Sequence, residues 1–186
     1  LYQYPELMHK LFQKLAKTFF VLQEHKDDYF GTTTDSISLC DDHAGFLSEK
    51  MYRQFVLPYN RQIYEKYGKK GRWLHMDSTT EHIAYLLMDE LRIDHLDVAS
   101  GSDIAKLKTI MDGRVVLRGN LDGRVLTKSY EDIRKAVEYC IQAAGPGGGY
   151  IFDFAGEAVY PGIDVDKLLY VVKYAKKIGK YPIRKS

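Results

Sequence analysis

The chain has 186 residues, of which 45% are hydrophobic and 28% charged, with a net charge of +2 and a pI near 8.4. This composition is ordinary for a globular protein, and it argues against nucleic-acid binding, which needs a surplus of basic residues. No apolar run approaches the roughly 20 residues of a membrane span, and we expect no signal peptide. We therefore expect a cytoplasmic protein in which Cys40 and Cys140 are reduced core thiols.

Segments with helical periodicity alternate with short apolar runs of strand length. In chain order, the predicted elements are a helix over 5–25, a strand over 35–39, a helix over 48–67, a strand over 71–76, a helix over 80–91, a strand over 95–98, a helix over 103–111, a strand over 114–117, a helix over 129–144, a strand over 149–153 and a helix over 164–178. Pro58 is expected to kink or split the helix over 48–67, because proline disrupts the helical backbone.

Short apolar strands between helices favour parallel βα units, and five such units are too few for an eight-stranded barrel of about 250 residues. The predicted fold class is therefore α/β with a predominantly parallel sheet. The sheet is either open, part of a barrel, or completed by another chain. Because the chain begins at Leu1 and enters helical periodicity almost at once, we expect a single domain, 1–186, that forms the C-terminal portion of a (β/α)8 barrel.

Polar side chains stand where two of the predicted strands end. His75 and Asp77 follow the strand over 71–76, and Glu157 follows the strand over 149–153. In an α/β barrel both strand ends reach the same rim, which is where active sites of such barrels lie. One imidazole and two carboxylates are competent ligands for Zn²⁺. We therefore predict a metal site formed by His75, Asp77 and Glu157, the alternative being hydrogen bonds and ion pairs at the rim.

Six sequence blocks at defined spacing extend over the whole chain. They are Asp41-Asp42, residues 48–59 (SEKMYRQFVLPY), Leu74-His75, residues 119–122 (GNLD), residues 147–151 (GGGYI) and residues 156–161 (GEAVYP). Together they resemble the C-terminal part of the uroporphyrinogen decarboxylase superfamily, which includes cobalamin-dependent methyltransferases acting on methanol, methylamines, methylthiols and methoxylated aromatics. The resemblance implies a TIM barrel of which this chain supplies the later strands.

The resemblance also implies a metal site, from which this chain departs at two positions. Zinc-binding methyltransferases of the superfamily use a His-x-Cys after one strand and a Cys after the last. His75 matches that His, whereas Asp77 and Glu157 stand where the two Cys would be. The decarboxylases instead carry a His in a Gly-His-Gly segment at the position of Glu157, which disfavours porphyrinogen decarboxylation here. Hard oxygen ligands suit a metal that polarises an ether or hydroxyl oxygen rather than a sulfur.

Other polar residues at predicted strand ends are further candidates. Asp42 and His43 are predicted to orient substrate or to act as general acid or base, the alternative being a capped loop. Asn120 lies in a Gly-Asn-x-Asp turn that the superfamily keeps near the pocket, and backbone hydrogen bonding within the loop is its other reading. Tyr160 is the candidate for contacting a cofactor, as the lining of a pocket for an aromatic or corrin face. Asp153 is a candidate partner for a metal-bound imidazole.

These features lead to a first hypothesis of a methyltransferase with a metal-activated oxygen. It would move a methyl group from a small, O-methylated donor to a corrinoid protein, with Zn²⁺ and a partner-bound cobalamin as cofactors. One alternative is a metal-independent decarboxylase that uses Asp42 and His75. Another is a non-catalytic fragment or subunit, which would function by pairing with another chain, as a homo-oligomer or with a missing N-terminal half.

Overall fold

The structure, a computed structural model, describes residues 1–156 and 162–183, where six α-helices and five β-strands alternate. In chain order these are α1 (Pro5–Phe30), β1 (Ser36–Cys40), α2 (Glu49–Phe55), α3 (Leu57–Tyr67), β2 (Gly71–His75), β3 (His95–Val98), α4 (Ile104–Met111), β4 (Val116–Leu121), α5 (Tyr130–Ala144), β5 (Tyr150–Phe154) and α6 (Val165–Ile178). Short 3₁₀ segments cover Ala44–Phe46 and Gly123–Thr127, and a π-helical turn covers Leu86–Glu90.

The five strands form one sheet, in which every neighbouring pair is parallel. The strand order is β1-β2-β3-β4-β5, so each crossover moves one strand further in the same direction. A doubly wound sheet would instead reverse its order near the middle of the chain. The sheet is therefore an arc of a β/α barrel, as predicted from the alternation of elements. All five carboxyl ends lie along one edge of this arc.

Alternation along each strand gives the sheet two faces of opposite character. We define the apolar face by Leu74, Leu96 and Leu117, which are at most 1% exposed and belong to a core shared with α3 and α4. We define the polar face by the side chains that alternate with them in β2, β3 and β4, together with those that share their register on β1 and β5. The first group is Trp73, His75, His95, Asp97 and Arg118, and the second includes Cys40, Ile151 and Asp153. Stability is thus concentrated on one face, and chemically reactive groups on the other.

Side-chain caps fix the start of most of the helices that cover the apolar face. Ser48 accepts a hydrogen bond from the backbone N–H of Met51 at 3.3 Å, and Asp103 accepts one from Lys106 at 3.0 Å. Ser129 forms a reciprocal capping box with Asp132, which satisfies two backbone donors that the helix itself leaves free. Ser48, Asp103 and Ser129 are thus N-caps, a position at which Ser and Asp are preferred.

Pro58 splits the predicted helix over 48–67 rather than kinking it. The break falls at Val56, between α2 and α3, and Pro58 lies in the first turn of α3. Proline is tolerated there because a first-turn N–H has no partner within the helix.

The prediction of an α-helix over 80–91 is only partly confirmed. The segment is a turn over 81–83, two α-helical residues, Ala84 and Tyr85, and then the π-helical Leu86–Glu90, which has no side-chain cap. Apolar side chains still face the core at helical spacing, and Ile83, Leu87 and Leu91 are fully buried. The periodicity therefore identified the buried positions, but it could not distinguish a wider helical turn from an α-helix.

β4 extends four residues further than the predicted strand over 114–117. It runs from Val116 to Leu121, so Gly119 and Asn120 lie within the strand and not in a turn after it. Gly119 has a φ of +122°, and a Cβ there would lie 2.7 Å from the carbonyl oxygen of Val98. A glycine that reads as a turn residue is here required by close contact between neighbouring strands.

Of the two predicted core thiols, only Cys140 is buried, and Cys40 is exposed. Cys40 ends β1 and pairs in register with His75, so its side chain belongs to the polar face rather than the core. Both thiols are free, as expected. Burial raises the pKa of the Cys140 thiol to about 11, which keeps it protonated at neutral pH.

Candidate active site

The carboxyl ends of β1 and β2 bring one imidazole and two carboxylates together. His75 is the last residue of β2, Asp77 follows two residues later, and Asp42 follows β1. Nε2 of His75 lies 3.4 Å from Oδ1 of Asp77 and 3.6 Å from Oδ1 of Asp42. One potential ligand atom from each residue lies within 4.8 Å of the other two. We call this trio, Asp42, His75 and Asp77, the acidic centre.

Short contacts between loops hold the acidic centre in place. The backbone N–H of Asp41 donates to the carbonyl of His75 at 2.9 Å, which ties the first loop to β2. The backbone N–H of Gly45 donates to Oγ of Ser78 at 3.0 Å, linking the loops after β1 and β2. Asp42 and Asp77 are therefore fixed relative to each other by backbone hydrogen bonds.

Gly156 closes the acidic centre on the side of β5. Its φ is +44°, and a Cβ at this position would lie only 2.5 Å from Oδ1 of Asp77. Both the left-handed backbone conformation and the close contact require glycine. The segment after β5 is thus packed directly on a carboxylate of the centre.

The donor set fits a divalent cation. Oδ1 of Asp42 is buried yet has no hydrogen-bond partner among the described residues, which is costly for a carboxylate oxygen unless something else compensates it. That atom lies 3.6 Å from Nε2 of His75, and a carboxylate oxygen of Asp77 lies within 4.8 Å of both. An imidazole and two carboxylates supply the three protein ligands typical of a catalytic zinc site.

Asp97, on the neighbouring strand β3, holds the other side of the His75 ring. Its Oδ2 lies 3.0 Å from Nδ1 of His75, and the two residues are paired in register between β2 and β3. Burial alone lowers the pKa of His75, but the hydrogen bond to Asp97 and the charges of Asp77 and Asp42 outweigh it. The pKa of His75 is therefore raised above its ordinary value.

Arg118 links Asp97 to the last strand. Its guanidinium donates to Asp153 at 2.7 and 2.8 Å and reaches Oδ2 of Asp97 at 3.5 Å. The hydrogen bond to Asp153 is the main cause of the raised pKa of Arg118. A continuous row of hydrogen bonds and ion pairs therefore runs from Asp153 through Arg118 and Asp97 to His75.

Two adjoining clefts give access to these residues. One, of about 280 Å³, is lined by His75, Asp97, Arg118 and Asp153. The other, of about 550 Å³, is lined by Asp42, His43, Phe46, Asp122 and Arg124. Asp77 and Gly156 line both clefts. A small substrate in either cleft would therefore reach the acidic centre.

Asp41, next to Asp42, has a structural environment. Its carboxylate accepts hydrogen bonds from the Tyr52 hydroxyl at 3.0 Å and from Asn60 at 2.9 Å, which ties the loop after β1 to α2 and α3. Burial raises the pKa of Asp41 although both hydrogen bonds oppose this. Of the adjacent acids, only Asp42 thus faces the cleft with an unsatisfied oxygen.

The structure brings together some of the predicted site residues and separates others. His75, Asp77 and Asp42 meet, and His43 lines the larger cleft beside them. Glu157 and Tyr160 lie outside the described residues, so the predicted third ligand and the predicted cofactor contact stay predictions. Asp42, which is predicted in a catalytic role, supplies the second carboxylate, so the described residues still bring one imidazole and two carboxylates together.

Asn120 lies apart from both clefts. Its amide donates to the backbone carbonyls of Ala99 at 3.2 Å and Ser102 at 2.9 Å, and its oxygen accepts from the Cys140 thiol. The side chain is only 7% exposed. These contacts match the alternative reading of backbone hydrogen bonding, although here it stabilises a strand and not a turn.

The predicted imidazole partner, Asp153, binds Arg118 instead, and Asp97 takes that role. Sequence reasoning missed both Asp97 and Arg118. Asp97 had a signal, because it is a charged residue within the predicted strand over 95–98, whereas Arg118 lies just beyond the predicted strand over 114–117. What the sequence lacked was the register that places Asp97 opposite His75.

Within the described ranges, no helix combines the length and apolar character that crossing a bilayer demands.

An arc of parallel strands with a polar cleft at its carboxyl edge defines the class of β/α-barrel proteins, whose active sites lie at that edge. Comparison with known proteins identifies the family within this class. The model of the family described as uroporphyrinogen decarboxylase (URO-D) matches residues 1–178, and the chain belongs to this family.

Individual relatives share modest identity over nearly the whole chain. The uroporphyrinogen decarboxylase of Thioalkalivibrio sulfidiphilus is 28% identical over 194 aligned residues, which cover 96% of this chain and 51% of that protein. That of Coxiella burnetii is 28% identical, covering 93% of this chain and 48% of the relative. The chain thus spans about half the length of the curated relatives it matches.

A solved structure extends the comparison of the fold. A methyltransferase from Methanosarcina mazei superposes with a TM-score of 0.60 at 18% identity, covering 77% of this chain and 42% of the other. At this identity the likeness concerns the fold alone. It agrees with the sheet order in identifying the chain as part of a TIM-type barrel.

Proposed function

We propose that this chain carries the metal-binding part of a methyltransferase of the uroporphyrinogen decarboxylase superfamily. The observation that carries the proposal is the acidic centre, in which a buried and unsatisfied Asp42 oxygen faces Nε2 of His75 and the carboxylate of Asp77. The three side chains would hold Zn²⁺, with Glu157 as a further ligand. Two thiolates are replaced by carboxylates, so the site favours an oxygen-containing substrate over a thiol.

A bound Zn²⁺ would supply Lewis acidity toward the oxygen of an O-methylated donor. The residues of the chain position the reactants around it. Asp42, His75 and Asp77 would hold the ion, and the larger cleft, which Asp42 and Asp77 line, would admit the donor. A corrinoid carried by a partner protein would supply the acceptor for the methyl group, and the O–CH₃ bond of the donor would break as that group is transferred. The leaving oxygen would take up a proton, and the proposed donor is His43, which lines the same cleft.

Zinc content after reconstitution tests the metal site. We expect about one Zn²⁺ per chain, lost in His75→Gln and reduced in Asp42→Asn and Asp77→Asn. His95→Gln is the matched control, because His95 lies on the same polar face, with its Nδ1 2.7 Å from Asp94, but outside the acidic centre. A folded, reconstituted protein that binds no zinc would overturn the metal-dependent function.

Methyl transfer itself is tested with free cob(I)alamin as the acceptor and a panel of small methyl ethers as donors. We expect the visible spectrum of cob(I)alamin to change to that of methylcobalamin with the zinc-loaded protein and not with His75→Gln. A zinc-loaded protein that methylates cob(I)alamin from no donor in the panel would contradict the methyl-transfer proposal.

Decarboxylation is the second candidate function, and it is supported by the names of the relatives and by the acids around His75. In a metal-free site, a protonated His75 held by Asp42 and Asp97 would donate a proton to the carbon from which CO₂ leaves. The expected observation is then consumption of uroporphyrinogen by chelator-treated protein, with release of CO₂. Loss of that activity on chelation would exclude this candidate in favour of a metal-dependent reaction.

A further inference from the structure

The His75 ring has chemically different neighbours on its two nitrogens. Nδ1 faces Oδ2 of Asp97 at 3.0 Å. Nε2 faces two carboxylate oxygens, from Asp77 at 3.4 Å and from Asp42 at 3.6 Å. Only the contact at Nδ1 has the length of a normal hydrogen bond. The geometry therefore distinguishes the two nitrogens, although both lie close to acids.

Asp97 is itself held in place from the opposite side. The oxygen that faces His75 is also the one that Arg118 approaches at 3.5 Å, and Arg118 is anchored by two contacts to Asp153. The side chain of Asp97 is 25% exposed, less than that of Asp77 at 39%. An ionised carboxylate accepts hydrogen bonds and donates none, so Asp97 offers an acceptor to Nδ1 of His75.

An ionised acceptor beside Nδ1 determines where the proton of a neutral ring lies. If the proton were on Nε2, the lone pair of Nδ1 would face the negatively charged Oδ2 of Asp97 at 3.0 Å. With the proton on Nδ1, that contact becomes a charge-assisted hydrogen bond. The lone pair of Nε2 then points toward the two carboxylates, an arrangement that a cation between the three atoms would stabilise.

We propose that Asp97, supported by Arg118, is a positioning residue that keeps the proton of neutral His75 on Nδ1 and so presents the Nε2 lone pair to the acidic centre. This inference deepens the proposed function, because it names the residue that selects the ligand atom. Carboxylates that bind the second nitrogen of a metal-ligating histidine fix its ring and tautomer in the same way.

The tautomer can be observed without any metal. In long-range ¹H–¹⁵N spectra of chelator-treated, ¹⁵N-labelled protein, at a pH where the ring is neutral, we expect His75 to show a protonated Nδ1 and an unprotonated Nε2. Its signals are identified by their loss in His75→Gln. In Asp97→Asn, whose amide can donate to Nδ1, we expect the proton to move largely to Nε2, as replacing the carboxylate of a His–Asp pair by an amide does elsewhere.

A second His–Asp pair on the same face provides a matched control. Nδ1 of His95 lies 2.7 Å from Oδ1 of Asp94, and His95 stacks on Trp73, the single tryptophan of the chain, at 3.8 Å. Asp94→Asn should change the His95 signals and leave those of His75 unaltered. Trp73 fluorescence then reports whether either variant keeps the folded polar face.

Zinc affinity gives the second measurement. Removal of such a carboxylate typically weakens metal binding about 10–100-fold, and we expect this loss for Asp97→Asn but not for Asp94→Asn. A wild-type His75 protonated on Nε2, or a tautomer unchanged in Asp97→Asn, would overturn the inference. The wild-type spectrum decides this even if the variant fails to fold. A wild type that binds no zinc yet shows the Nδ1 proton would instead contradict the proposed function and leave the positioning role standing.

Discussion

The two faces of the sheet consist of alternating residues from the same strands, yet they have opposite roles. On the apolar face, Leu74, Leu96 and Leu117 are almost completely buried against helices. On the polar face, the side chains of His75 and Arg118 stay 29% and 44% exposed and are linked through Asp97. Substitutions at neighbouring positions of one strand should therefore change either the stability of the fold or the acidic centre, and not both.

The largest effect is expected from truncation on the apolar face. Leu96 is fully buried, so Leu96→Ala should lower the free energy of unfolding by about 2–5 kcal/mol, through lost burial and a cavity. The matched change on the polar face is Ile151→Ala, where the side chain is 42% exposed and about 0.5 kcal/mol or less is expected. Urea unfolding measures both, and equal losses would refute the division between the faces.

Gly156→Ala, compared with a control glycine, tests whether zinc affinity depends on the position of Asp77 and not only on the stability of the fold. The left-handed backbone costs a residue with a Cβ about 1–2 kcal/mol, and the added Cβ would also displace Asp77, whose oxygen lies 2.5 Å away. We therefore expect moderate destabilisation together with at least a tenfold loss of zinc affinity, measured by competition with a chelating dye.

Gly31→Ala is the control for this prediction. Gly31 has a φ of +63°, and an added Cβ would meet nothing within 4 Å. The same backbone strain should then lower stability by a similar amount while zinc affinity stays unchanged. Equal zinc losses in the two variants would show that affinity follows global stability and not the position of Asp77.

Local sequence signals predicted much of the apolar side of the fold. Capping residues such as Ser129 and Asp103 and the apolar periodicity identified most helices, because caps and burial patterns depend on residues close in sequence. The π-helical geometry of Leu86–Glu90 was not predicted, because the same spacing of buried residues fits an α-helix. The C-terminal end of β4 was not predicted, because glycine is typical of turns. Glycine is needed at position 119 because the carbonyl oxygen of Val98, on the neighbouring strand, leaves no space for a Cβ.

The polar side was less predictable, because it depends on register between strands. His75 and Asp77 were recognised as strand-end residues, and the carboxyl-edge rule brought Asp42 near them. The role of Asp97 followed only from its pairing opposite His75, a relation between residues 22 positions apart. Sequence patterns within one element therefore indicate which residues meet a cleft, but not which of them bind each other.

A smaller effect on stability is expected at the start of α5. Ser129→Ala should lower the free energy of unfolding by about 1 kcal/mol, since Ser129 accepts from the backbone of Asp132 at 3.2 Å. Because Asp132 reciprocates, Ser129→Ala and Asp132→Ala should not be additive in a double-mutant cycle. Zinc affinity should stay unchanged, and a parallel loss would mean that α5 and the polar face are coupled.

The smallest effect concerns how each kind of contact responds to pH. Burial of leucines is insensitive to pH, whereas a hydrogen-bonded carboxylate is not. Asp27, at the end of α1, accepts hydrogen bonds from the backbone and hydroxyl of Thr34 at 2.9 and 2.7 Å, and these lower its pKa. Its stabilisation is therefore complete above the pKa of the unfolded chain, about 3.9, and is lost as pH falls through the lower folded value.

Asp27→Asn tests the predicted direction of this pH dependence of stability. We expect a lower urea midpoint than wild type at pH 7, and a difference that shrinks as the pH falls below about 4. Asp28→Asn removes the same charge from the exposed neighbouring position and is the control for the loss of charge alone. The gap between wild type and Leu96→Ala should meanwhile persist across this pH range, because the lost contacts are apolar. A gap for Asp27→Asn that is equally constant would mean that shape, and not the charge of the carboxylate, holds the connection into β1.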